Sequence, residues 1–389
     1  VRFSVLLPTR NGGELLENCI GSVLGQPYRE MELVVSDNAS TDNTAEILAR
    51  FESDSRLRVI RQPRPLPVTE NWNAALEAAS GGYLLQIGDD DYLLPGYFER
   101  VDQLLRELGD PDCLTYNGYA FAFPGFAGSA TARYADPFFA LDERFPGKGE
   151  LSRALRERLV QEMFGFEFPL HLNLQTTVVA RRATERLANG LYKPPFPDFY
   201  AMCALLLRAE RWFYAEQKLI AIGISPKSFG RTLHRQTQEE GLRYLGISTE
   251  FQDRLPGTEL INGAYASFVE VQRDYADELK GVELDRGAYV MKQVYSWYLQ
   301  WRLGWLPNAE LVRRMRMLRL RDLPLLLARS TSRLRERRMR RRLRIDRRNA
   351  AGEVWVGLEP LPAEIRDNAQ FARWLERERG PDSAERAAT

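Results

Sequence analysis

Short apolar runs alternate with stretches of helical period through the first 120 residues, a rhythm that predicts βαβ units and a mainly parallel sheet. Phe3-Ser4-Val5-Leu6-Leu7 reads as a strand and Pro8 to Gly13 as a loop. Leu15, Leu16, Cys19, Ile20 and Val23 then fall on one helical face. Met31 to Ser36 predicts a second strand, and its helix starts near Asn43 with Glu46 at capping-box spacing. Leu57 to Ile60 is a third strand, followed by a loop stiffened by Pro63, Pro65 and Pro67. Trp72, Ala75, Leu76 and Ala79 line one helix face, which Gly81-Gly82 ends. A fourth strand, Tyr83 to Ile87, runs straight into Asp89-Asp90-Asp91. Pro95 opens the next helix, where its missing N–H costs nothing, and Cys113 to Tyr119 is a fifth strand.

The middle of the chain is less regular. Gly, Pro and aromatic residues from Phe121 to Gly149 read as a long surface excursion. Leu151 to Phe164 is helical, Gln175 to Ala180 a strand, Phe199 to Ala209 a helix introduced by Pro195, Pro197 and Asp198, and Trp212 to Ser225 one or two strands. Beyond these the pattern is helical: Leu260, Ala264, Phe268, Val271 and Tyr275 share one spacing, and Ala288, Met291, Val294, Tyr295 and Tyr298 another. Trp72, Trp212, Trp297, Trp301 and Trp305 read as core or interface. The last residues, 381–389, are small and polar and predict a disordered tail.

Charge changes this picture in one place. The net charge is +1, yet Arg313 to Arg348 holds 16 Arg, no Lys and 3 acids, a local +13. Leu318, Leu320 and Leu323 interleave with these arginines, which favours an amphipathic membrane-surface helix over nucleic acid. A solvated helical face paired with the acidic remainder is the alternative. Three widely spaced cysteines exclude a disulfide framework, and two histidines exclude a His-rich metal cage. No apolar run approaches the ~18 residues of a membrane span, and a core strand starts at Arg2, so a cytoplasmic protein without signal peptide is expected.

The candidate chemistry gathers where strands end. Ligands of open parallel sheets bind outside the carboxyl ends of the strands. The loop Pro8-Thr9-Arg10-Asn11, Asp37 and the acidic triplet all fall there. No G-x-G-x-x-G or Walker lysine motif accompanies them, which argues against a dinucleotide enzyme or a P-loop NTPase. Three consecutive carboxylates repel one another, and a hard divalent cation carrying phosphate oxygens is their natural partner.

Four segments in order, Ser4-Val5-Leu6-Leu7-Pro8-Thr9-Arg10-Asn11, Val34-Val35-Ser36-Asp37-Asn38-Ala39-Ser40-Thr41-Asp42, Asn71-Trp72-Asn73-Ala74-Ala75 and Gln86-Ile87-Gly88-Asp89-Asp90-Asp91, resemble the inverting family-2 glycosyltransferases with a GT-A fold. The resemblance implies an α/β catalytic domain over residues 1–234, with a nucleotide-binding half to 120 and an acceptor half beyond, then a helical region over 235–380. It implies that Pro8, Thr9, Asn11 and Asp37 hold base and ribose, and that Asp90 ligates Mn2+ or Mg2+. Gly88 stands where the family's first aspartate is common, and Asp89 is the candidate to take over its ribose contact. Asp91 is assigned to support or to the acceptor. Asp198, opening a helix after Pro197, looks like the family's catalytic base. Lys227 and Arg231 are candidate cations for the diphosphate and His234 a further metal ligand. The implied partners are a nucleoside-diphosphate sugar, UDP-sugar foremost, and a glycan or lipid-linked acceptor in bacterial surface polysaccharide or glycoconjugate synthesis. An anionic inner-membrane surface is expected at Arg313–Arg348; nucleic acid is not, and a homo-oligomer stays open.

Two other classes share parts of this pattern. A sugar-nucleotide nucleotidyltransferase needs a Gly-rich, lysine-bearing loop after the first strand, which Pro8 to Gly13 lacks. A non-catalytic sugar-nucleotide-binding or scaffold protein would keep Asp37 and lose Asp90 or Asp198; both are present.

Overall fold

The computed structural model describes residues 2–126, 129–136, 149–167, 172–225, 228, 242, 246–257, 259–302, 304–329, 345–346, 355–356 and 358–379. Four parallel strands, β1 (Phe3–Thr9), β2 (Met31–Asp37), β3 (Leu57–Arg61) and β4 (Tyr83–Gln86), stand in the order β3-β2-β1-β4. Both faces of β1 are covered, which is why its sequence is an almost unbroken apolar run. Val5 and Leu7 face α1 (Gly13–Leu24) through Leu16, Ile20 and Val23, while Leu6 faces the opposite layer beside Ala75 of α3 (Val68–Ala78). The short helix α2 (Thr44–Ala49) links β2 to β3.

The sheet continues past β4 with mixed direction. After β5 (Tyr92–Leu93) and α4 (Tyr97–Glu107) comes the long β6 (Cys113–Ala122), then β7 (Arg133–Ala135), β8 (Gly149–Glu150) and α5 (Arg153–Phe164). β9 (Thr177–Ala180) lies antiparallel between β4 and β6, so β6 runs the same way as β1 and β4. One turn of helix, α6 (Arg181–Thr184), and α7 (Pro197–Arg208) lead to β10 (Trp212–Ile224), parallel to β6. The α/β architecture with a mainly parallel core is as the sequence pattern predicts.

Three local expectations need correcting. Asn43 makes no side-chain cap on α2; Asp42 does that work, its carboxylate accepting from Thr44 N (3.0 Å) and Thr44 Oγ1 (2.6 Å). Pro95 lies outside α4, whose N-cap is Gly96 at φ 76°, a left-handed conformation suited to glycine. The residues after Tyr119 are not a surface excursion throughout, because β6 runs to Ala122 and Phe121, Phe123 and Phe126 are buried.

Two parts of the C-terminal region behave differently. The helices α8 (Glu259–Asp274), α9 (Arg286–Arg302), α10 (Asn308–Met315) and α11 (Asp322–Arg329) form a layer that meets the α/β part at α7. Gly263 allows that approach, since a Cβ there would lie 1.6 Å from the Phe196 ring. The buried face of α9 carries Tyr289, Gln293 and Trp297 rather than Tyr298, which is exposed. A polar contact sets that rotation: Gln293 Nε2 and Tyr289 Oη both donate to buried Asn262 Oδ1 at 2.7 and 2.9 Å. The chain then returns to the sheet. β11 (Glu359–Pro360) pairs with β7, and α12 (Asn368–Arg379) places Phe371 on Phe121, ring centroids 5.1 Å apart. Complete burial of Phe371 is worth roughly 1.5–3 kcal/mol.

The first part of the arginine block is internally paired. Arg313 and Arg314 bond Glu310, and Arg319 and Arg321 both reach Asp253. Most of 330–354 and the tail 381–389 lie outside the described residues. No helix among the described residues is long and apolar enough to cross a membrane.

Candidate active site

Register brings the first candidates together. Thr9 pairs with Asp37 at the carboxyl ends of β1 and β2, so the two loops that follow are neighbours. Asn11 fastens them: its N–H donates to Ser40 Oγ and its Oδ1 accepts from Thr41 N, both at 2.8 Å. Asn11 (φ 55°) and Ala39 (φ 53°) are left-handed, a conformation an alanine adopts only under constraint. Asp37 is buried and its Oδ1 accepts from Ser40 N at 3.0 Å. Asn38 holds the proline-rich loop through paired bonds with the Leu66 main chain, at 2.7 and 2.9 Å.

The acidic triplet is joined to the end of β1. Thr9 Oγ1 donates to Asp89 Oδ2 at 2.7 Å, and Gly12 leaves room for this pair, since a Cβ would sit 2.7 Å from that hydroxyl. Asp91 faces inward, 1% exposed, and clamps two main-chain donors, Gly88 N (2.7 Å) and Gly223 N (2.9 Å). Asp90 Oδ2 accepts from Ser228 Oγ at 2.7 Å. Burial raises the carboxyls of both Asp90 and Asp91, and repulsion from Asp90 and Asp89 raises Asp91 further. The thiol of Cys19, which donates to Gly88 O at 3.3 Å, is likewise pushed up, first by burial and then by the three aspartates.

Asp198 occupies the first turn of α7, where its Oδ1 accepts from Phe199 N at 2.9 Å. The side chain reaches solvent, but the protein crowding around it raises its carboxyl by desolvation. The segment leading into α7 is tied to β4 and α3: Tyr192 Oη donates to Gln86 Oε1 (3.1 Å) and Asn73 Nδ2 to Tyr192 O (3.3 Å). Lys227, Arg231 and His234 lie outside the described residues. Among the described residues no group of three His, Cys, Asp or Glu side chains forms a ready metal cage.

The sequence assigned no role to Gly223 or Ser228, which lie in the stretch Ile222 to His234 that resembles the closing end of the family's catalytic domain, and it missed Asn368. Gly223 is required where it stands, because a Cβ would come within 2.0 Å of Asp90 O. Asn368 Nδ2 donates to that same Asp90 oxygen at 3.1 Å. Neither residue has a local signal; both act across more than a hundred residues.

Residues 4–121, under a third of the chain, match the model of the family Glycosyl transferase family 2. An uncharacterised protein of Mycobacterium tuberculosis is 37% identical over 221 residues, 54% of this chain and 64% of its own length. The GalNAc(5)-diNAcBac-PP-undecaprenol beta-1,3-glucosyltransferase of Campylobacter jejuni is 32% identical over 124 residues, 31% of this chain and 37% of its own length. The chain thus spans less than two thirds of either relative. Among solved structures, S. aureus TarS 1-349 in complex with UDP-GlcNAc aligns with a TM-score of 0.49 at 18% identity, covering 76% of this chain and 71% of that one.

Proposed function

We propose that the chain transfers a sugar, with inversion, from a nucleoside-diphosphate sugar to an acceptor hydroxyl. The observation that carries this reading is the half-buried carboxylate of Asp90, which accepts from the neutral Ser228 hydroxyl at the same end of the sheet as Thr9 and Asp37, in a chain whose residues 4–121 match the family-2 model. Pro8, Thr9, Asn11 and Asp37 hold the base and ribose, and Asp89, already bonded to Thr9, completes the ribose contact.

The donor set fits a hard divalent cation, Mn2+ or Mg2+. Asp90 offers oxygen, no ion pair reaches it among the described residues, and such ions are commonly held by one or two carboxylates plus substrate phosphates. Asp90 would hold the ion, with His234 as a further ligand, and the ion when bound offsets the charge of the diphosphate. Asp91 keeps the loop in shape. Lys227 and Arg231 are the candidate cations for the same diphosphate.

Asp198 takes the proton of the acceptor hydroxyl as its oxygen bonds to the anomeric carbon. The bond from that carbon to the diphosphate oxygen breaks, and its electron pair leaves with the nucleotide. A carboxyl raised by desolvation suits this role, because a base works best with a pKa nearer the working pH. A UDP-sugar is the first donor to test. The Campylobacter relative, named for an undecaprenol-linked diphosphate, supports a lipid-linked acceptor in surface glycan synthesis at the inner face of the membrane.

The test is a panel of UDP-, GDP- and dTDP-sugars with and without Mn2+, followed by thermal shift and by release of nucleoside diphosphate. Mn2+-dependent stabilisation by one nucleotide class, with slow release of its diphosphate, is expected. No response to any donor overturns the reading.

A further inference from the structure

Resting on that reading, we infer that Asn368, at the start of the returning helix α12, is a positioning residue for the acidic loop. The Asp90 main chain is gripped from two sides. Gly223 of β10 presses against its carbonyl closely enough to exclude any side chain, and Asn368 Nδ2 donates to the same oxygen at 3.1 Å. Asn368 is completely buried, and its Oδ1 has no hydrogen-bond partner among the described residues. A buried amide with one end unpaired carries a desolvation penalty, so this side chain is a poor choice for packing alone.

The helix that brings it is built to arrive in one register. Asp367 Oδ1 accepts from Gln370 N, and Gln370 Oε1 accepts from Arg366 N, both at 2.7 Å, a reciprocal cap that fixes the first turn. Phe371 and Leu375 then lock the helix onto Tyr119, Phe121 and Ala221, with Tyr92 at the margin of the same cluster. Tyr92 directly follows the triplet, and Ala221 lies two residues before Gly223. The C-terminal segment therefore touches the strands on both sides of the acidic loop, and Asn368 is its one polar contact with Asp90 among the described residues. Residues 358–379 complete the site from outside the matched family segment, 4–121.

The experiment compares full-length wild type, Asn368→Ala and Asn368→Asp. Asn368→Asp sets an acceptor against the Asp90 carbonyl and is the harsher change. Two readouts are taken: hydrogen exchange at Gly88 and Gly223, whose amides Asp91 holds, and UDP and GDP affinity by calorimetry with Mn2+ and with EDTA. Faster exchange at both amides is expected in each variant, with a roughly 10-fold loss of the Mn2+-dependent affinity and little change in EDTA. Thermal melts identify a variant that fails to fold, in which case Asn368→Ser, smaller and still a donor, replaces it. Unchanged exchange overturns the inference whatever the nucleotide does. Faster exchange with equal losses in Mn2+ and EDTA also overturns it, since that is the mark of a merely structural residue. Faster exchange in a protein whose wild type binds no nucleotide upholds the positioning and sinks the glycosyl-transfer reading instead.

Discussion

The two ends of the sheet treat buried carboxylates in opposite ways. At the amino end, Asp112 precedes β6 almost wholly buried and is met by Arg182 (3.1 Å), by Arg186 and by Glu210 N (2.7 Å). Nearby Asp102 is bonded by Arg2 and by Arg106 (3.0 Å). At the carboxyl end, Asp90 and Asp91 receive a hydroxyl and main-chain amides, and no ion pair reaches either among the described residues. Hydrogen bonds from neutral donors hold a carboxylate in place but leave its charge in a poorly solvating interior. Charge matched by arginine fixes an architecture; charge left over asks for a cation. That asymmetry, more than the number of acids, separates a structural end of this sheet from a functional one.

The sharpest way to break the comparison is Asp90→Asn. With the leftover charge gone, Mn2+-dependent nucleotide affinity should disappear, and titration calorimetry that finds it intact would end the metal assignment. The same variant has a signature in stability. The carboxyl of Asp90 is raised in the folded state, so its contribution without metal is fully present below the ordinary carboxylate range and is lost as pH rises through the raised value. Melts in EDTA from acid to neutral pH should therefore fall less steeply in Asp90→Asn than in wild type.

Asp198→Asn should come next in size. Turnover falls by about two orders of magnitude or more, while nucleotide affinity stays near wild type, because a general base acts on the acceptor. In wild type, activity should rise with pH as this raised carboxyl loses its proton, above the ordinary carboxylate range, and the variant should lose that limb. Matching losses in affinity and rate would move Asp198 to donor binding.

At the other end of the sheet, Asp112→Asn should cost about 1–3 kcal/mol of stability and leave Mn2+-dependent nucleotide affinity untouched. The figure stays below that for a fully buried pair because Arg182 and Arg186 are partly exposed, at 48% and 32%. A loss of nucleotide affinity here would mean that the two ends are not separable.

How much of this was legible depends on how far apart the interacting residues are. The β1–β4 half reads directly from sequence, since β1, β2 and β4 are largely buried apolar runs and α1 and α3 keep a helical period. Asp37 and the triplet were visible because acids directly after an apolar strand break the pattern. At the start of α2 the Asn43–Glu46 spacing of a capping box gives no side-chain cap from Asn43, and the acid before it, Asp42, bonds Thr44 instead. Phe121 and Phe123 looked like loop because their cover, Phe371 and Leu375, comes some 250 residues later. The Asp367–Gln370 cap and the Phe371–Leu375 spacing were local signals for α12, yet nothing local tells where that helix docks. Gly223, Ser228 and Asn368 belong to the site only through tertiary contacts.

The smallest expected effect concerns the helical layer, and it refines the reading of the arginine block. Arg313, Arg319 and Arg321 already have acidic partners, so electrostatics from this stretch alone is weaker than a charge count implies. What the layer does present is exposed apolar surface: Trp301, Val312, Met315, Met317 and Leu320, with Leu320 86% exposed, interleaved with Arg302 and Arg316. Apolar tips among arginines suit the interface of an anionic bilayer, where insertion supplies the affinity and charge assists it. Truncation before Leu311 would be a poor test, because it also removes β11 and α12 from the catalytic side. Leu320→Asp in the full chain is cleaner. It should lower partition onto phosphatidylglycerol liposomes about tenfold or more, as burying one leucine is worth about 1.5–3 kcal/mol, and leave nucleotide affinity unchanged. Salt should weaken wild-type binding only in part, since screening removes the arginine share and not the apolar one. If wild type ignores such liposomes at low salt, this face belongs to a protein partner or to solvent. The contrast between the two ends of the sheet would stand without it.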